Sequence, residues 1–327
     1  MKMNSETDIS KKYWKPKSKW WFAAAVLSIA AAAAVNALVP DVQTVNTSYY
    51  RIVLAAFIAA LLALWTTPVL ARKLRHKLYH YSQFIAAAGL LLAVLDLLTT
   101  KSDILKLPFF PGPAQIIEVL FTERNTLFIC TVYSLRLFFA GLACGVVLGI
   151  ATGVMIGWNR QWNYWLFPVL KVVGVIPPVA WIPIALAVFP TSFYAGIFLL
   201  VLTSWFSIAF MVATGIESTP KAYFEVSRTL GANDRFLLFH VAIPNAVPSI
   251  FTGIATSAGM CFMTLVIIEM IGAKAGLGWY INWAKAWASY DKVYASIVIM
   301  GVAFCIILGV INVFRNYFLR WQKGTVR

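Results

Sequence analysis

The sequence predicts an all-α integral membrane protein with about eight transmembrane helices, and three observations carry that reading. The chain of 327 residues is 61% hydrophobic and only 12% charged, with a mean hydropathy of +0.79. Its apolar residues collect into runs near the roughly 20 that a helix needs to cross the hydrocarbon of a bilayer. Its 27 Lys and Arg are concentrated in alternate loops.

In chain order the runs cover residues 20–39, 52–70, 84–98, 127–157, 164–188, 193–215, 246–271 and 293–314. The N-terminal tail, the loop after the second run, the turn around Arg160, the loop 217–245 and the C-terminal tail hold most of the Lys and Arg. The positive-inside rule therefore predicts both termini in the cytoplasm. Topology and attraction to anionic membrane lipid account for the net charge of +15 without a nucleic-acid partner. The first run is long and lacks a small-residue cleavage pattern, so it reads as a retained span. All four cysteines fall inside apolar runs, as packing residues do. His76 and His80 stand four apart without a third ligand nearby, and no metal site is expected.

Residues 1–81, the tail with the first two spans, read as an added two-helix hairpin, and residues 82–327 as a six-span transport core. In the fourth run, Gly141, Gly145, Gly149, Gly153 and Gly157 recur four apart and would draw a smooth ridge for a neighbouring helix. In the fifth, "VIPPVAWIP" carries Pro177, Pro178 and Pro183, which predicts a kinked or unwound helix at membrane depth, beside the translocation path. After the seventh, Trp279, Trp283 and Trp287 would share one helix face at the outer boundary. Asp96, Arg136, Lys171 and Glu269 are ionisable groups within or at the edges of spans, where pairing or a cavity is expected. Asp96 and Arg136 could pair, and Arg136 and Lys171 are the candidates to meet an anionic solute.

The loop 217–245 is polar and, by the charge distribution, cytoplasmic. Thr219 and Pro220 would start a short helix over 221–230, Gly231 would stop it in a left-handed turn, and Asn233 would cap a second short helix to about His240. Pro244 would return the chain to the membrane. Such an elbow suits a groove on a soluble partner.

Glu225, Val226 and Ser227, three residues, Gly231, nine residues, then Val241 to Pro244 resemble the EAA loop of ABC importer permeases, Glu, Gly, Pro and all spacings included. Val and Ser stand where that pattern has two alanines. "LPFFPGPAQIIEVL", "VIPPVAWIP" and "EMIGAKAGLG" extend the resemblance to the nitrate, sulfonate and taurine branch. It implies a type I importer in a bacterial inner membrane. Two permeases, as a homodimer or a similar pair, would sit on two ATPase subunits and receive solute, an anion such as nitrate, bicarbonate, taurine or a sulfonate, from an extracytoplasmic binding protein. Glu225, Val226, Ser227, Gly231 and Pro244 would couple to the ATPase, and Arg136, Lys171, Pro177, Pro178 and Glu269 are candidates for the pathway. The chain has no Gly-rich Lys-Ser/Thr loop, so it binds no cofactor of its own, and ATP and Mg belong to the partner ATPase. An ion-gradient transporter would need inverted repeats with midplane carboxylates. That transporter is the alternative reading, and no convincing internal repeat occurs; a membrane enzyme would need a motif such as H-E-x-x-H, which is absent.

Overall fold

The structure, a computed structural model, describes residues 18–42, 45–66, 71–102 and 104–320, with side chains for all of these but 18–19, 64–66 and 71–80. Both chain ends and the side chains of His76 and His80 lie outside that description. Among the described residues every regular element is a helix. In order they are α1 (Ser18–Leu38), α2 (Ser48–Thr66), α3 (Ala71–Asp96), α4 (Pro113–Thr122), α5 (Arg124–Trp158), α6 (Arg160–Val175), α7 (Ile182–Val188), α8 (Ser192–Glu217), α9 (Lys221–Thr229), α10 (Asp234–Phe236), α11 (Ile243–Gly272), α12 (Leu277–Ala286) and α13 (Tyr290–Phe318).

Six of the eight apolar runs lie on helices long and apolar enough to cross a membrane by themselves. The fifth run is a pair, Arg160–Val175 and Pro178–Val188, bent by 92°. The second run is helical, but its described apolar part, Ser48–Ala63, is shorter than the six. The protein is an all-α, multi-pass membrane protein.

Two compact units are formed, Met1–Arg124 with Ala284–Ala295, and Asn125–Trp283 with Ser296–Arg327. In the first, the alanine-rich α1 lies against α3 at Gly89, where an added Cβ would stand 3.1 Å from the Ile29 backbone nitrogen. Tyr50, Leu54 and Leu61 of α2 complete a core with Ile29, Ala32 and Ala93. This unit runs through the third span to Arg124.

Buried polar groups tie the three helices together. Asn36 of α1 donates to the fully buried Asp96 of α3 at 3.2 Å and accepts from Arg51 Nε of α2 at 2.9 Å. Lys101, in a π-helical turn after α3, donates to the Asn36 carbonyl at 3.1 Å and pairs with Asp41 at 2.6 Å. In hydrocarbon such groups have no water to satisfy them, so their partners must come from neighbouring helices.

In the second unit the glycine ridge of α5 is filled by α8. A Cβ at Gly141, Gly145, Gly149 or Gly153 would run into Leu200, Ser204, Ile208 or Val212, side chains that themselves recur four apart. Between lipid-facing helices the driving force is close packing, and glycine provides it by removing the side chain in the way. Residue numbers rise together along this contact, so α5 and α8 run parallel. One crossing must lie between two parallel spans, and the bent pair α6–α7 supplies it. α11 packs antiparallel on α8, with Gly215 against Ser249, Gly253 against Met211 and Gly196 near Ile268. Leu199, Leu200, Ala258, Cys261 and Leu265 form the core between them.

Candidate functional site

The loop 217–245 forms an elbow at the end of α8. α9 begins as expected, but its cap is not Thr219: Pro220 holds the N-cap position without a side-chain bond. Thr219 is 5% exposed, and its hydroxyl oxygen accepts a hydrogen bond from Asn245 Nδ2 at 3.1 Å, which clasps the two feet of the elbow together. Gly231 has φ +85°, in the left-handed region, with no atom within 4 Å of the position a Cβ would take. The Asn233 side chain accepts from the Phe236 amide at 2.8 Å, as a helix cap.

The second arm differs from the expectation of a separate short helix. α10 continues through a π-helical segment, Leu237–Ala242, straight into α11, so Asp234–Gly272 is one continuous run. Pro244 lies inside it and does not re-aim the chain. A proline lacks its amide and crowds the turn before it, and the wider π turn relieves both.

Phe224 faces inward, 6.1 Å from Trp158 between ring centroids and packed on the Ile208, Val212 and Ile216 cluster. Glu225 and Val226 are exposed, while the half-buried Ser227 turns its hydroxyl back onto the Tyr223 carbonyl. Tyr223, Val226 and Leu230 are 55%, 60% and 83% exposed, an apolar face on a base held from within. The anchor Phe224 and the Thr219–Asn245 clasp went unread in the sequence, because each partner is distant along the chain. Asn163, in the turn region near Arg160, donates to Glu217 at 3.0 Å, so that turn and the elbow share one end of the unit, as the charge alternation requires.

The proline segment is unwound as expected. α6 stops at Val175, Ile176 and Pro177 are extended, and Pro178–Trp181 is a 3-10 turn leading into α7. The bend opens a cavity of about 260 Å³ walled by Pro178, Trp181, Thr203, Phe206, Met260 and Thr264 among others. Gly174 approaches Phe206 so closely that a Cβ there would overlap the ring. Of the pathway candidates, Pro178 lines this cavity, while Pro177, Arg136, Lys171 and Glu269 are not in its wall. Arg136 lies 5.0 Å over the Phe193 ring and Lys171 4.5 Å over Phe167. Asp96 and Arg136, paired in the sequence reading, each have a partner in their own unit: Asn36 and Phe193.

Glu269 is 1% exposed and organises the start of α12. One of its carboxyl oxygens accepts from the Gly278 amide at 2.8 Å and from the Ser134 hydroxyl at 2.9 Å, and Ser134 in turn accepts from the Leu277 amide at 2.8 Å. A carboxylate meeting the first amides of a helix is the stable arrangement. Gly276, at φ +130°, leaves the space its side chain fills. Beyond, Trp279 and Trp283 stack at 6.5 Å, and Trp287 follows the end of α12.

The comparisons agree with this architecture. Residues 145–324 match the family model described as "Binding-protein-dependent transport system inner membrane component". The bicarbonate transport system permease protein CmpB of Synechococcus elongatus is 30% identical over 231 residues, 65% of this chain and 79% of its own. The nitrate import permease protein NrtB of a Synechocystis species is 30% identical over 186 residues, 57% of this chain and 65% of its own. In fold, a chain of the inward-facing MetNI methionine ABC transporter superposes with a TM-score of 0.53 at 19% identity, covering 60% of this chain and 98% of that one. With the matched region taking in the glycine ridge from Gly145 onward, the bent span and the elbow, the chain belongs to the family of inner-membrane components of binding-protein-dependent transport systems, the ABC transporter permeases.

Proposed function

We propose that this chain is the transmembrane subunit of an ATP-driven importer that passes a small solute from an extracytoplasmic binding protein to the cytoplasm by alternating access. Two copies pair above two ATPase subunits, which carry the ATP, the Mg and the hydrolysis. Both termini and the elbow face the cytoplasm, and Glu225, Val226 and Ser227 meet the ATPase. The observation that carries the reading is the elbow: an exposed apolar face on α9, a left-handed turn at Gly231 and feet clasped by Thr219 and Asn245. A rigid protrusion transmits a partner's movement, and a floppy loop absorbs it. The relatives named for bicarbonate and nitrate support a small solute, and by resemblance an anion.

Affinity purification of the tagged chain from its native membrane tests the assignment. An ATPase subunit should co-purify, and Val226→Asp should release it while the permease stays inserted. Intact transport without any ATPase, driven by an ion gradient, would instead identify a secondary transporter.

A further inference from the structure

Two cations of the second unit stand at membrane depth without an acid to meet them. Arg136 lies in the span Arg124–Trp158 and Lys171 in the bent span that begins at Arg160, and both residues are exposed. No ion pair among the described residues includes either one. The Phe193 ring lies 5.0 Å from the Arg136 guanidinium and the Phe167 ring 4.5 Å from the Lys171 ammonium. An aromatic face attracts a cation but does not neutralise it. Against lipid an exposed cation at this depth is costly, and such residues as a rule face a partner or a water-filled cavity.

Their levels can be read along α8. Phe193 belongs to its first turn, whereas Phe167 stacks at 6.2 Å on Phe210, 17 residues further on. The two cations are therefore separated by roughly 25 Å along that helix. Thr203 and Phe206, which wall the cavity of the bent span, lie between the two levels, and no residue lining that cavity is charged. The order along α8 is cation, uncharged cavity, cation. A negatively charged solute is attracted on either side of a chamber that gives it no counter-charge and so does not retain it. A path must bind well enough to admit and weakly enough to release. A cationic solute would be repelled twice.

We propose that Arg136 and Lys171 are two anion-attracting stations on the aqueous wall of the transport path, one before and one after the level of the uncharged cavity. The proposal deepens the transport reading above and rests on it: the solute is an anion, and these two side chains draw it through. Phe193 and Phe167 hold the cations while no anion is present.

Charged thiol reagents test this in the permease–ATPase complex, held in lipid nanodiscs with the exposed native cysteines removed by Cys144→Ala and Cys305→Ala. A cysteine is placed one turn from each cation, at the exposed Val132 or Val175. Its rates are measured with the anionic sulfonatoethyl and the cationic trimethylammonioethyl methanethiosulfonates. Both cysteines should react, and faster with the anionic reagent. Arg136→Gln beside Val132→Cys, and Lys171→Gln beside Val175→Cys, should each lower the anionic-to-cationic rate ratio about tenfold, the effect in water of one unit charge roughly 6 Å away on two reagents of opposite sign. Lys171→Arg should keep the ratio. A cysteine that reacts with N-ethylmaleimide but with neither charged reagent would put its cation against lipid, and a ratio unmoved at either site would show that the cation there attracts nothing; each result overturns the proposal. Both leave the transport reading standing, because the complex has assembled. A chain that never assembles with an ATPase fails that earlier reading instead.

Discussion

Gly231 separates backbone strain from steric conflict, because its φ of +85° favours glycine while the space around it is open. A β-branched residue there pays about 1–2 kcal/mol for the left-handed conformation alone. Gly231→Val is therefore expected to shift the elbow, lowering solute uptake and solute-stimulated ATP hydrolysis in proteoliposomes while insertion stays normal. Gly231→Asn, which tolerates this conformation, should keep most of both activities. Wild-type behaviour of the valine variant would mean that the shape of the turn does not matter for transport. Thr219→Val should cost about 1 kcal/mol by leaving the Asn245 amide without its acceptor, seen as a lower thermal midpoint in detergent. The two residues were unequally legible. Gly231 announces itself after a polar helix, whereas Thr219 looks like a cap until Asn245, 26 residues on, is brought beside it.

At the scale of the element, the ridge on α5 was legible because glycine at every fourth position has few other uses in a span. Its counterpart on α8 was not, since Leu200, Ser204, Ile208 and Val212 share a spacing but no residue type. Gly149→Val puts a branched side chain into Ile208, and overpacking of this kind costs about 1–3 kcal/mol. Gly309→Val makes the same change on α13, where nothing lies within 4 Å of the new Cβ. The first variant should melt earlier and express poorly, and the second should match wild type in the permease–ATPase complex; equal loss in both would show that glycine content, not the α5–α8 contact, sets stability. The prolines foretold a broken span but not its 92° bend, nor the cavity, whose far wall comes from α8 and α11. Glu269 was legible as a costly buried acid, and its task was not, because its partners are the Gly278 amide, in a helix that begins eight residues later, and the distant Ser134 hydroxyl of α5.

The molecule as a whole was legible in its membrane-crossing helices, since span length is written locally in the chain. How the first spans pack was not. Truncation at residue 81 would strip Asn36 from Asp96, and Asn36 and Asp41 from Lys101, and leave buried groups unpaired. Removing one partner of such a set costs about 3–5 kcal/mol. The truncated chain should accumulate poorly, and Asp96→Leu with Lys101→Leu should restore its yield; an unimpaired truncation would show that the network is dispensable. In the second unit, the elbow hangs from α8 and α11, which lie side by side for most of their length and are clasped at the foot. Together they make a plank, and the elbow is its handle. With α10, the π-helical segment and α11 running unbroken from Asp234 to Gly272, a 39-residue rod of roughly 55–60 Å, a push on the handle would tilt the whole plank instead of bending it. The give in such a machine would sit where the helix is already interrupted, at Ile176 and Pro177, so the edge of the cavity that Ile176 lines would also be the place where the motion is taken up.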